Sequence, residues 1–134
     1  MTDAVRHTFS KKERLCGDKC IEQLFQHPQR KSLSAFPLRL VYAIQPREQA
    51  EEVSARLLIS VPKRQLRHAV DRNRVKRQVR EAYRKHKHML QSVMQQHPTT
   101  QLHLALLWQS REQFPSRQVE ERVKNILQRL VEQL

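Results

Sequence analysis

A chain of 134 residues suits one domain, able to bury roughly two-thirds of the surface its unfolded form exposes. Its 26 Lys/Arg against 13 Asp/Glu leave a net charge of +13, which points to a polyanionic partner, nucleic acid before anionic membrane. A single glycine, Gly17, excludes phosphate-cradling Walker loops and dinucleotide fingerprints, and no apolar run exceeds five residues, too short for a membrane helix.

The opening, Met1 to Thr8, is polar and lacks a signal-peptide core, so a cytoplasmic protein is expected, with residues 1–8 open to disorder. Cys16 and Cys20 find no second Cys/His pair to complete a four-ligand zinc site and read as reduced structural thiols. Asp18 can cap a short helix over Lys19–Gln26, whose apolar side is Cys20, Ile21, Leu24 and Phe25. A basic turn follows, with room for a short strand near Arg30–Ser34, before Leu38–Gln45 reads as a strand. Pro46–Glu52 is a polar connection, and Ala55–Val61 is the next strand, closed by Pro62.

A helix is expected from about His68 to Gln95, since Val75, Val79, Ala82, His86, Met89 and Val93 keep the spacing of one helix face. His97-Pro98-Thr99-Thr100 ends it, Leu102–Trp108 forms another strand, and Pro115-Ser116 opens a last helix with Val119, Val123, Ile126, Leu130 and Leu134 in period. These elements make a single α+β domain over residues 1–134.

Between Lys63 and His88 stand eleven Lys/Arg and two acids, Asp71 and Glu81. On the helix, Arg72, Lys76, Arg80 and Arg84 form one i, i+4 ridge, with Asn73 and Arg77 beside it and Arg74 on the flank. A solvated face usually mixes both signs. This one leaves its self-repulsion uncompensated unless a polyanion relieves it. Arginine's planar fork holds two phosphate oxygens at once, and Asn73 adds a donor and acceptor for a base edge or 2′-hydroxyl. The partner that fits is RNA.

Ala69 to Tyr83 matches, at all fifteen positions, the signature Ala-Val-x-Arg-Asn-Arg-x-Lys-Arg-x-x-Arg-Glu-Ala-aromatic. In it the chain resembles the protein subunit of bacterial ribonuclease P. Phe9-Ser10-Lys11-Lys12-Glu13-Arg14-Leu15 resembles that family's basic entry, Lys19 to Phe25 its first helix, and Leu38–Tyr42 and Ser60–Arg64 its strands. The chain departs from the pattern in a Ser60–His68 segment one residue longer than usual, with Arg67 and His68 where a glycine and a small polar residue are common. Ile21 also stands where an aromatic is common.

The resemblance implies an α-β-β-β-α-β-α domain, ribosomal S5 domain 2-like, with a left-handed βαβ crossover against the usual right-handed preference. It also implies a subunit that binds a catalytic RNA and the single-stranded 5′ leader of precursor tRNA, while Mg2+ held mainly by the RNA activates the water that removes the leader. By matching positions, Arg72, Asn73, Arg74, Lys76, Arg77 and Arg80 contact the catalytic RNA, to which the ridge adds Arg84. Ile21, Phe25 and Tyr42 line the leader cleft, with Lys63 and Arg64 at its edge; for Phe25 and Tyr42 ordinary core packing is the competing reading.

No catalytic side chains and no metal ligands are assigned to the protein, which alone is expected to cut nothing. No membrane and no obligate protein partner are expected. About six phosphates contacted means an affinity loss of roughly 10³-fold between about 50 and 200 mM salt. The alternative is a ribosomal-type structural RNA-binding protein without a part in cleavage. A membrane-surface helix lacks the bulky apolar face it needs, and no helix-turn-helix pattern supports a DNA-binding regulator.

Overall fold

The computed structural model describes residues 13–15, 18–47 and 53–134. The polar start, Cys16 and Gly17, and most of the Pro46–Glu52 connection lie outside the described residues, and Cys20 is described only in its backbone. The elements are α1 (Asp18–Gln26), β1 (Lys31–Ala35), β2 (Leu38–Pro46), β3 (Ala55–Ser60), α2 (Ala69–His86), α3 (His88–Met94), β4 (Thr100–Trp108) and α4 (Ser116–Gln133).

The strands form one mixed sheet in the order β1-β2-β4-β3. β1 and β2 make an antiparallel hairpin, β2 pairs antiparallel with β4, and β3 runs parallel to β4. Parallel neighbours need a crossover, and α2 with α3 supplies it between β3 and β4. The fold is the expected α+β domain, with one helix more than expected.

β4 explains why its sequence is an almost unbroken apolar run. It is a central strand covered on both faces. Leu102, Leu104, Leu106 and Trp108 point into the larger core, with Leu38, Leu40 and Tyr42 of β2 and the apolar stripes of α2, α3 and α4. Ala105 points the other way, joining Val41, Ala43, Leu15 and Leu24 in a smaller core beneath α1. On α1, Leu24 is fully buried while Ile21 and Phe25 are only partly covered.

The long helix expected over His68–Gln95 is interrupted at Lys87, which closes α2 and opens α3. Val75, Val79 and Ala82 are buried as their spacing requires, but beyond Ala82 the buried row is Tyr83, Lys87, Leu90 and Met94. The expected row of His86, Met89 and Val93 sits one position off this seam, each residue only partly covered. A fully buried Lys87, hydrogen-bonded to Glu13, has taken a place that apolar periodicity assigns to a hydrophobic residue.

Candidate nucleic-acid interface

α2 lies on the larger core through Val75, Val79, Ala82 and Tyr83, so its remaining surface projects away from the sheet. Along one flank, the α4 side, Gln78 donates from Nε2 to the Phe114 carbonyl (3.0 Å) and to Ser116 Oγ (3.0 Å). Phe114 is itself anchored edge-on to Trp108, with ring centroids 5.8 Å apart. Arg77, Lys85, Ser116 and Glu120 border a groove of about 210 Å³ here. Along the other flank, Lys76 and Arg80 face Arg14, Leu15 and β3 residues Leu57, Leu58 and Ile59 across a groove of about 190 Å³.

The ridge residues are not equivalent. Arg72 turns back, donating from Nη1 to the carbonyls of Leu66 (3.0 Å) and Arg67 (2.9 Å). It thereby closes the long Ser60–His68 connection, which folds as a turn with the Gln65 and Leu66 amides bonded to the Pro62 carbonyl and Leu66 buried. Arg84 is held by Glu81 (2.9 Å), and that guanidinium holds the Glu81 carboxyl below its usual range. Arg74 donates to Gln113 Oε1 (3.0 Å) while remaining exposed. Among the described residues the side chains of Asn73, Lys76 and Arg77 take no hydrogen bond or ion pair. The outward basic strip is therefore Asn73, Arg74, Lys76, Arg77 and Arg80. Lys63 and Arg64 are exposed on the turn at its start.

The expected leader-cleft residues divide between the two faces of the sheet. Ile21 and Phe25 lie over the smaller core with Val41, Ala43, Leu58 and Leu107. Tyr42 does not join them: side chains alternate along a strand, and Tyr42 points into the larger core, 3% exposed, with its hydroxyl donating to Gln133 Oε1. Burial pushes the Tyr42 phenol above its ordinary range, so it stays neutral. The β2 residue beneath α1 is Val41. The sequence leaves cleft and core both open for Tyr42, because it does not fix which face of the strand the ring occupies, and the structure puts it in the core.

Sequence reasoning also missed the contact that ties the N-terminal segment down. Lys87 Nζ donates to Glu13 Oε2 at 2.6 Å, its side chain 2% exposed. The neighbouring Tyr83 phenol is pushed far up by burial and by the Glu13 charge. A basic residue in a basic helix carries no sign that it is buried. The only cue was Lys87 falling i+4 from Tyr83 on the face that the core needs. No group of three or more His, Cys, Asp or Glu that could hold a metal lies together among the described residues. None of their helices is long and apolar enough to cross a membrane.

The chain is an α+β unit whose crossover helix is rich in guanidinium groups, and the comparisons make its class specific. The family model for ribonuclease P matches residues 9–131. The ribonuclease P protein component of Porphyromonas gingivalis (strain ATCC 33277) is 43% identical over 96 residues, 72% of this chain and 67% of that protein. The one from Chlorobaculum tepidum is 40% identical over 74 residues, 55% of this chain and 47% of that protein. Among solved structures, a Staphylococcus aureus RNase P protein mutant superposes with a TM-score of 0.67 at 19% identity, covering 90% of this chain and 89% of that one. The Thermotoga maritima RNase P protein gives 0.64 at 22%, covering 87% and 96%. At these identities the two structures speak to the fold alone.

The chain belongs to the ribonuclease P protein component family. A part in tRNA processing, as the protein subunit associated with ribonuclease P RNA, follows from that membership.

Proposed function

We propose that this protein docks on the catalytic RNA of ribonuclease P through α2 and holds the 5′ leader of precursor tRNA over the α1 face of its sheet. The observation that carries the reading is the outward strip of Asn73, Arg74, Lys76, Arg77 and Arg80 on a helix whose other side is locked in the core. Guanidinium and ammonium groups left facing solvent on one rigid element suit a phosphate backbone, which is recognised by charge at fixed spacing. Phe25 and Ile21, partly covered beside Leu58 and Leu107, offer an apolar surface on which bases of any sequence can stack. Arg72 and Arg84 act mainly by holding the helix entry and its exposed face in shape.

In this reading the RNA does the cutting. Mg2+ held mainly by that RNA would supply the activated water, and the protein supplies attraction, placement and exclusion of wrong geometries. No side chain here is given a catalytic or metal-binding role. The left-handed hand of the β3–α2–α3–β4 crossover and a cytoplasmic location belong to the same proposal.

The test is cleavage of a precursor tRNA by bacterial ribonuclease P RNA at low Mg2+, with and without the protein. Stimulated cutting at the mature 5′ end, and none by the protein alone, is expected. Binding without stimulation would leave only a structural RNA-binding role.

A further inference from the structure

The groove between α2 and the edge of the sheet has a construction that its α2 residues alone do not explain. Its cations come from two distant parts of the chain: Lys76 and Arg80 from α2, and Arg14 from the segment before α1. Leu15, Leu57, Leu58 and Ile59 supply an apolar wall, and the space of about 190 Å³ is small, suited to one nucleotide's phosphate and sugar.

Two contacts fix Arg14 in place. The Leu15 amide donates to the Leu57 carbonyl at 2.9 Å, so residues 14–15 lie as a short parallel bridge along the free edge of β3. One residue earlier, Glu13 reaches under the helix to Lys87 at 2.6 Å, where the ammonium is almost wholly buried. A buried ion pair is poor value as a source of stability, because desolvation of both charges offsets their attraction. Its part here is positional, because it ties residue 13 to the underside of the helix. Arg14 is thereby held between two anchored neighbours, on the same groove as Lys76 and Arg80.

We propose that Arg14, Lys76 and Arg80 form one RNA phosphate-binding site whose third cation is put in place by the buried Glu13–Lys87 pair. Arg14 is a binding residue. Glu13 and Lys87 are positioning residues that touch no RNA. The site rests on the reading of α2 as an RNA-docking helix and extends it to a segment outside the fifteen-residue signature. The phosphate belongs either to the catalytic RNA or to the precursor's leader, which share this chemistry.

The experiment is a double-mutant cycle on the full chain, read as affinity for ribonuclease P RNA and, separately, as affinity of the assembled holoenzyme for precursor tRNA. Arg14→Ala is expected to weaken one of the two by about tenfold, at the low end for a charged hydrogen bond, and to reduce its salt slope by about one. Lys87→Met is expected to cause a similar loss in the wild-type background and little or none when Arg14 is already Ala. Weakening of the first affinity assigns the phosphate to the catalytic RNA, and weakening of the second assigns it to the leader.

Thermal melts accompany each variant. Glu13→Gln repeats the cycle with a side chain of the same shape should Lys87→Met fail to fold. If Arg14→Ala leaves both affinities unchanged, or Lys87→Met costs as much without Arg14 as with it, the inference is overturned. Arg77→Ala, outside this groove, separates the two levels. A loss there with none at Arg14 refutes this site and leaves the docking helix standing, whereas no loss at either removes both.

Discussion

The salt dependence of RNA binding is where the structure changes a number. Counting one phosphate for each cation expected on the RNA face, Arg72, Arg74, Lys76, Arg77, Arg80 and Arg84, gives six, and an affinity loss near 10³-fold between about 50 and 200 mM salt. In the folded chain, however, Arg72 spends its Nη1 on the Leu66 and Arg67 carbonyls, Arg84 is bonded to Glu81, and Asn73 carries no charge. Arg74, Lys76, Arg77 and Arg80 remain. Four α2 cations, each counted as one backbone contact releasing about 0.7 to 0.9 counterions, give a log–log slope of about −2.8 to −3.6 before any contribution from Arg14. Over a fourfold rise in salt that is a loss of about 50- to 150-fold.

The assay is equilibrium binding to ribonuclease P RNA across that salt range, for the wild type and for Arg77→Ala and Arg72→Ala. Arg77→Ala is expected to flatten the slope by about 0.7 to 0.9 with little effect on stability. Arg72→Ala is expected to leave the slope nearly unchanged and to lower stability by about 1 kcal/mol, a charged-donor value discounted for its partial exposure. A flat wild-type response, or an Arg72→Ala slope that drops as far as Arg77→Ala, refutes the division of α2 into outward and inward arginines.

Phe25→Ala should weaken holding of the precursor's leader by about 1–3 kcal/mol, the range for loss of one stacked base, measured as holoenzyme affinity with and without the leader. Tyr42→Phe should leave that affinity alone and cost about 1 kcal/mol in urea unfolding, because its hydroxyl bonds to Gln133 within the fold. The Glu120 carboxyl lies below its ordinary range, chiefly through its bond to His86 (3.0 Å) and then through the Lys85 charge. A depressed carboxylate contributes stability that is present above the unfolded-state value of 4.5 and is lost as pH falls through the lower folded-state value. Denaturation curves of wild type and Glu120→Gln should therefore differ at neutral pH and converge in acid. Leu104→Ala, at a fully buried position on the central strand, should cost about 2–5 kcal/mol by calorimetry.

The elements were legible because two periods dominate the chain. β4 reads as an apolar run since both its faces are covered, and α4 keeps its stripe of Val119, Val123, Ile126 and Leu130, all buried. The face on which a strand residue points was not legible, and Tyr42 shows why. Val41 and Tyr42 are both buried, so the alternation that fixes register disappears where a strand is covered on both sides. Only the pairing of Val41 with Ala105 and of Tyr42 with Leu104 shows which side each one faces.

Lys87 defines the other limit. Charge counting places it among the solvent-facing cations of α2, and hydropathy excludes it from the core, yet its side chain is among the most deeply buried in the chain. The carboxylate that makes this possible lies 74 residues earlier, in Glu13, and no local pattern links the two. A charged lysine is rarely found in a core without such a partner beside it. The burial of Lys87 and the docking of the segment bearing Arg14 are therefore one structural event. Under the proposal above, the basic surface offered to RNA includes a contribution from outside α2, and its extent depends on a contact made beneath the helix.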